Sequence, residues 1–396
     1  MKQLSLRCGL CGREYRPDHL AIRCAACGEP LEFEDARMGH IRESQGPTQN
    51  LFERYKDFLP FDHSDPHSTL GEGLTPLIES SVLAETIGIL QLYLKNETKN
   101  PTWSFTDRGT ASCIRHALEL GYRRVGSVSS GSLGASVAAY GAKARLETFI
   151  IVDDVPEETL APIAVYGPHL IRVACGRNEL TRRSLDIGAR NDIYFMNADA
   201  PMRIEGYKTT AYEICEQTNF EVPDLIVTPV DSGSNIRGIA KGFREFFQLG
   251  LIRHMPRLMA VQPSSRCSIV HACREDRANP ASYSGSLVLH LLRSEGNLTA
   301  AISDAAMLAA QSELARAGLF VQPESAATYA ALRDLKDRGE IGPDSRVACI
   351  LTAGGLKSRS DPAARPPVPA CIASEELDAR IAGIIRQGHM FADLPH

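Results

Sequence analysis

Asn100-Pro101-Thr102-Trp103-Ser104-Phe105-Thr106-Asp107-Arg108-Gly109 is the stretch whose reading decides the fold. The run before it, Leu90–Leu94, is strand-like. The run after it, Thr110–Leu120, carries Ala111, Ile114, Ala117 and Leu118 at helical spacing. A polar turn that leaves a strand and feeds a helix sits at the carboxyl end of that strand. Open α/β sheets place their chemistry at this edge.

Working outward, short β-branched runs alternate with amphipathic ones. Strands are expected at Arg124–Val128, Thr148–Val152, Leu170–Cys175 and Ile193–Asn197. Helices are expected between them, at Gly134–Ala144, Glu157–Val165 and Leu180–Arg190. A second set follows: helix Ile204–Gln217, strand Leu225–Val230, helix Ile236–Phe247, strand Leu258–Val261, helices Ile302–Ala317 and Ala326–Arg338, and strand Arg346–Leu351. This alternation means βαβ units with parallel strands and right-handed crossovers. Two such sets predict two α/β lobes with a cleft between them. Arg274–Gly285 is polar and breaker-rich, hence a surface loop. Ser358–Pro369 holds four prolines and reads as a tail, with one last helix at Glu375–Arg386.

With 396 residues the chain can bury a sizeable core in two domains or more. A net charge of -5 argues against a dedicated nucleic-acid binder. No apolar run approaches the roughly 20 residues needed to cross a bilayer. The start, Met1-Lys2-Gln3-Leu4-Ser5-Leu6-Arg7-Cys8, lacks the apolar core of a signal peptide. The eleven cysteines are an odd total, and those beyond the N-terminus are scattered singles. Reduced thiols in a cytoplasmic protein fit this better than a disulfide framework.

Cys8-x-x-Cys11, twelve residues, then Cys24-x-x-Cys27 form a compact four-thiolate pattern. Four thiolates suit tetrahedral zinc with no open position for a substrate. Residues 1–36 are too short to hold a core alone, so metal binding would supply their folding energy. The same ligands also suit iron. A ribbon that binds nucleic acid or protein is a further alternative, although Lys, Arg and aromatic residues are few here. The favoured reading is a stabilising zinc knuckle on the main body.

Four further motifs stand in order along the chain. Leu70-Gly71-Glu72-Gly73-Leu74-Thr75-Pro76-Leu77 is a turn with two glycines. Ser129-Ser130-Gly131-Ser132-Leu133-Gly134-Ala135-Ser136 follows a strand and opens a helix, so its backbone N–H groups can hold an anion. Pro229-Val230-Asp231-Ser232-Gly233-Ser234-Asn235 joins the strand expected at Leu225–Val230 to the helix expected at Ile236–Phe247. Leu351-Thr352-Ala353-Gly354-Gly355-Leu356-Lys357 ends the last strand. Together with the opening stretch and Arg203-Ile204-Glu205-Gly206-Tyr207-Lys208-Thr209, these resemble the signatures of threonine synthases and other fold-type II pyridoxal-phosphate (PLP) enzymes, from Leu70 to Lys357.

The resemblance implies an α/β fold of two open parallel sheets with an N-terminal zinc ribbon. Its larger lobe would comprise 37–110 and 205–360, its smaller lobe 111–204, and its tail 361–396. It implies PLP contacts at Ser132, Gly233, Ser234, Asn235 and Thr352, and a substrate carboxylate near Ser129, Ser130 and Leu133. It also implies a small anionic amino-acid-like ligand and a homodimer. Three positions depart from the pattern. The family places its Schiff-base Lys where this chain has Thr106, an Asn where it has Ser132, and a Gly where it has Asp231. A Thr hydroxyl forms no stable imine, and its pKa is too high for an efficient base near neutrality. Lys95, Lys99, Lys208, Lys241 and Lys357 are the candidate substitutes. Two functions follow. One is a lyase acting by β- or γ-elimination or replacement on a (phospho)amino acid. The other is a non-catalytic binding or partner subunit that uses the same cleft.

Overall fold

In the computed structural model of the chain, residues 5–16, 22–34, 39–41, 50–61, 65–275, 285–294, 296–357 and position 381 are described. The predicted tail and, apart from position 381, its helix lie outside the described residues, as does most of the 274–285 loop.

The N-terminal segment forms a three-stranded antiparallel sheet from β1 (Leu6–Cys8), β2 (Glu14–Tyr15) and β3 (Leu31–Phe33), in the order β2-β1-β3. Then come α1 (Leu51–Arg54), β4 (Leu77–Glu79), α2 (Ser81–Ile87), β5 (Gln91–Asn96) and α3 (Thr106–Glu119). The next set is β6 (Arg124–Val128), α4 (Ser132–Lys143), β7 (Glu147–Val152), α5 (Ala161–Ala164), β8 (His169–Arg172), α6 (Arg177–Asn191) and β9 (Tyr194–Phe195). Its four strands make one parallel sheet, β8-β7-β6-β9. The rest comprises α7 (Pro201–Tyr207), α8 (Thr209–Gln217), β10 (Leu225–Pro229), α9 (Ser234–Gln248), β11 (Arg257–Pro263), α10 (Ser268–Arg274) and α11 (Gly285–Arg293). It closes with β12 (Leu298–Ile302), α12 (Asp304–Arg316), α13 (Pro323–Asp337) and β13 (Arg346–Leu351).

The larger sheet has the order β12-β11-β10-β13-β5-β4. The middles of its central strands are apolar on both faces, which pack into separate cores. On β13, Val347, Cys349 and Leu351 join one core, while Ala348 and Ile350 join the other. That is the period-2 alternation of a strand buried on both sides.

The spans expected for β6 and β13 coincide with those observed. Other expectations need correction. The larger sheet is mixed, since edge strand β4 runs antiparallel to β5. The helix expected over Ile204–Gln217 is two helices broken at Lys208. Thr209 Oγ1 donates to the Gly206 carbonyl at 2.6 Å, competing with the helical ladder there. Glu157–Val165 contains only a 3₁₀ turn and the single α-turn α5, which carries Pro162 near its start. Ile302 ends a strand rather than starting a helix.

Helices α3 and α7 cross closely through two glycines. A Cβ at Gly206 would lie 2.1 Å from the Arg108 carbonyl oxygen, and one at Gly109 2.7 Å from the Tyr207 ring. Gly206→Ala should therefore push α7 off α3 and cost roughly 2–3 kcal/mol, the upper range for overpacking a tight site. A urea midpoint equal to wild type would refute this crossing.

Candidate functional site

Val128, Pro229, Pro263 and Thr352 lie at or just past the carboxyl ends of their strands and line one cleft of about 560 Å³. A parallel strand ends where the next helix begins, so helix N-termini gather at this edge. Thr106 starts α3, Ser132 starts α4, Arg177 starts α6 and Ser234 starts α9. Gln322 caps α13, and all five residues line the cleft.

None of these five helices has a side-chain cap hydrogen bond. Of the other helices, α1, α2 and α12 are capped by Asn50, Ser80 and Ser303, while α5, α7, α8 and α10 also have no side-chain cap. The first N–H groups of a helix lack intrahelical partners and carry the positive end of its dipole. The Thr106 and Ser234 N–H groups lie 3.4 Å from the Ser104 and Ser232 hydroxyls, and the other first-turn N–H groups leave the cleft ready for anions.

The structure brings every sequence-predicted PLP or substrate residue to this cleft: Thr106, Ser129, Ser130, Ser132, Leu133, Gly233, Ser234, Asn235 and Thr352. Asp231 is there as well. The turn into α4 requires Gly134, whose Cβ would fall 2.4 Å from the Ser129 carbonyl oxygen. The turn into α9 requires Gly233, which has a φ of 92°. Asn235 is buried, yet its Oδ1 has no hydrogen-bond partner among the described residues. Thr352 Oγ1 lies 2.8 Å from the Ser325 hydroxyl. Thr106 is buried, and its hydroxyl lies 3.1 Å from Ser104 Oγ and 3.4 Å from the Ser132 carbonyl oxygen, to one of which it donates.

No lysine is among the described residues that line the cleft. Lys95 donates to the Thr75 carbonyl at 2.7 Å, to Glu213 at 2.7 Å and to Gln217 at 2.9 Å. Lys208 donates to the Phe58 carbonyl at 2.8 Å and pairs with Glu205 and Glu245. Lys241 pairs with Glu205 at 2.6 Å. Lys99 is exposed on the turn after β5. Lys357 donates to the Thr102 carbonyl at 2.6 Å. Burial pulls Lys357 down to about 8, with Asp107 opposing.

Beneath the cleft the two residues after Thr106 hold the turn. Asp107 accepts from the Thr102 N–H, the Thr102 hydroxyl and the Ser136 hydroxyl, each at 2.6 Å. Burial nevertheless keeps Asp107 above the usual carboxylate range. Arg108 is fully buried between Glu97 and Glu213, at 2.7 and 2.5 Å.

Sequence reasoning missed Arg177, Asn178 and Arg266, which also line the cleft. Arg177 faces Asp153 at 3.9 Å, and Arg266 faces Glu324 at 3.4 Å. A signal existed, because the residue opening the helix after any parallel strand faces this edge. It was unused since the helix was expected to start at Leu180.

Away from the cleft, Cys8, Cys11, Cys24 and Cys27 bring their sulfurs within 4.8 Å of one another. Cys8 and Cys27 are 3.4 Å apart, and Cys11 and Cys24 are 3.6 Å apart. Four sulfurs at 2.3 Å from a zinc ion would be ~3.8 Å apart, so the set fits a tetrahedral metal.

Residues 68–353 match the family described as pyridoxal-phosphate dependent enzyme, and the chain belongs to that family. Among its relatives is the threonine synthase of Methanosarcina acetivorans, 34% identical over 400 residues, with 96% of this chain and 97% of that one covered. The threonine synthase of Methanocaldococcus jannaschii is 34% identical over 374 residues, covering 89% and 92%. In fold, the chain is similar to a fungal L-serine ammonia-lyase from Rhizomucor miehei, with a TM-score of 0.62 at 19% identity over 71% of this chain and 94% of that one. No helix among the described residues is long and apolar enough to cross a membrane.

Proposed function

We propose that the chain is a threonine synthase-like protein of the lyase class whose cleft binds a small anionic, amino-acid-like ligand, a (phospho)amino acid, without an imine to the chain. The carrying observation is the make-up of the cleft, five converging helix N-termini and no lysine among the described lining residues. PLP would be held at its phosphate by Gly233, Ser234 and Asn235 and at its ring by Ser132 and Thr352. Ser129, Ser130 and Leu133 would meet the substrate carboxylate. The start of α9 fits a phosphate, whereas the orphaned Asn235 oxygen is an acceptor and calls for a donor on the ligand instead. When bound, PLP supplies the electron sink for β- or γ-elimination or replacement. Thr106 fits neither role of the family Lys, since a hydroxyl neither anchors the aldehyde nor serves as an efficient base. Asp231 adds a carboxylate that repels a phosphate dianion.

The same observation favours a second reading, a non-catalytic binding or partner subunit built on this cleft. Under both readings the chain is a cytoplasmic homodimer with zinc on Cys8, Cys11, Cys24 and Cys27. Titration with PLP, followed by borohydride reduction and peptide mapping, separates them from full threonine synthase-type catalysis. The expected result is binding competed by inorganic phosphate, with no imine absorbance and no labelled lysine. A single labelled lysine would restore imine catalysis. Absence of PLP and phosphate binding would remove the anion-site reading.

A further inference from the structure

The four-cysteine knuckle is joined to the body through the helix that ends in the cleft. On α9, Arg237 and Lys241 are one turn apart and face β3. Arg237 Nε donates to Glu32 at 2.9 Å, and its Nη2 also pairs with Glu32. Lys241 Nζ donates to the Phe33 carbonyl at 2.6 Å and to the Glu34 carbonyl at 3.3 Å. Both cations are buried. Lys241 also ion-pairs with Glu205 on α7. The knuckle therefore completes the hydrogen bonding of a buried ammonium, and without it two acceptors would be lost. Leaving a buried charge short of partners is costly.

This joint connects directly to the thiolates and to the cleft. Strand β3 pairs with β1, which carries Cys8, and the Leu31 N–H donates to the Ile22 carbonyl two residues before Cys24. At the other end, Ser234 and Asn235 open α9 and line the cleft. Lys241 is about 9 Å along the helix from Asn235, at 1.5 Å per residue.

We infer that Glu32, Phe33 and Glu34 position the cleft end of α9 through Arg237 and Lys241, so that order at the cradle depends on a metal at the four cysteines. The consequence for ligand affinity rests on the anion-site reading above; the positioning itself does not. In the geometry of this joint, Glu32 and Lys241 are positioning residues and touch no ligand.

The test compares zinc-loaded full-length protein, the same protein stripped with a chelator, and zinc-loaded Glu32→Gln. Hydrogen exchange is followed at amides 237–240, the first of α9 with helical acceptors, and at β6, in the other sheet. Inorganic phosphate affinity is measured in parallel. Stripping and E32Q are both expected to speed exchange at 237–240 and leave β6 unchanged. Phosphate affinity should fall about tenfold, the size of one lost charge-assisted hydrogen bond. Unchanged exchange at 237–240 would overturn the inference. So would an equal rise in both regions, which reports only lost stability. Exchange that responds as expected, in a loaded protein that binds no phosphate, would support the positioning and overturn the cleft reading.

Discussion

Thr106→Lys is expected to give the protein an imine with PLP that the wild type lacks. The side chain at 106 starts α3 and lines the cleft, so a lysine there has about 560 Å³ to extend into. The hydroxyl it replaces makes only the 3.1 and 3.4 Å contacts to Ser104 and Ser132. Loss of such bonds costs about 1 kcal/mol, so the variant should fold. Absorbance should shift on adding PLP, and borohydride should fix a stoichiometric pyridoxyl group at position 106. Adding Asp231→Gly should tighten PLP further by about tenfold, since an exposed carboxylate near a phosphate is screened yet repulsive. If T106K binds PLP but yields no adduct at 106, residue 106 does not face the aldehyde and the placement of the cofactor is wrong.

The second large effect concerns stability. Arg108→Ala would leave Glu97 and Glu213 in the interior with Lys95, on Glu213, as the remaining paired cation among the described residues. Breaking a buried pair from one side costs roughly 3–5 kcal/mol. That is a large share of a typical 5–15 kcal/mol of total stability. The variant should unfold at clearly lower urea, with T106K close to wild type as the control; equal midpoints for R108A and wild type would show that the cluster contributes little. The same cluster sets an acid limit. Burial pushes Glu213 up, but Arg108 and Lys95 outweigh it and hold the carboxyl at about 2 against an ordinary 4.5. A depressed folded pKa means that this stabilisation is full above pH 4.5 and is lost as pH falls toward 2. Urea midpoints between pH 6 and pH 2 should follow that course in wild type and be flatter in Glu213→Gln.

The fold was legible because its signals are local. Arg124–Val128 and Arg346–Leu351 are short apolar runs bounded by polar residues, and both are strands with those limits. The cleft was legible for a related reason. A glycine-rich turn after a strand points to one edge of the sheet, so Ser129–Leu133 and Gly233–Asn235 had to share it. The lysines were not legible. Nothing near Lys95, Lys208 or Lys241 in the sequence distinguishes a cleft amine from a buried ion-pair member. Their partners lie far along the chain, with 118 positions separating Lys95 from Glu213 and 208 separating Lys241 from Phe33. The break at Lys208 was hidden as well, because apolar spacing continues through it while the Thr209 hydroxyl interrupts the ladder.

The strand order β12-β11-β10-β13-β5-β4 also bears on how the chain is made. The β6–β9 sheet is one continuous stretch and can close while later residues are still being added. The larger sheet cannot, because β5 pairs with β13, and the side chains of Gln91 and Arg346 that meet there are 255 positions apart. During synthesis β5 must wait beside unfilled space until the last described strand has emerged. The knuckle, made before α9, waits in the same way for Arg237 and Lys241. Both joints are therefore completed late, and loop closure of this length is the slow kind. A nascent chain stalled before residue 346 would present a finished small lobe attached to an open, apolar β5 edge, the kind of surface that chaperones hold.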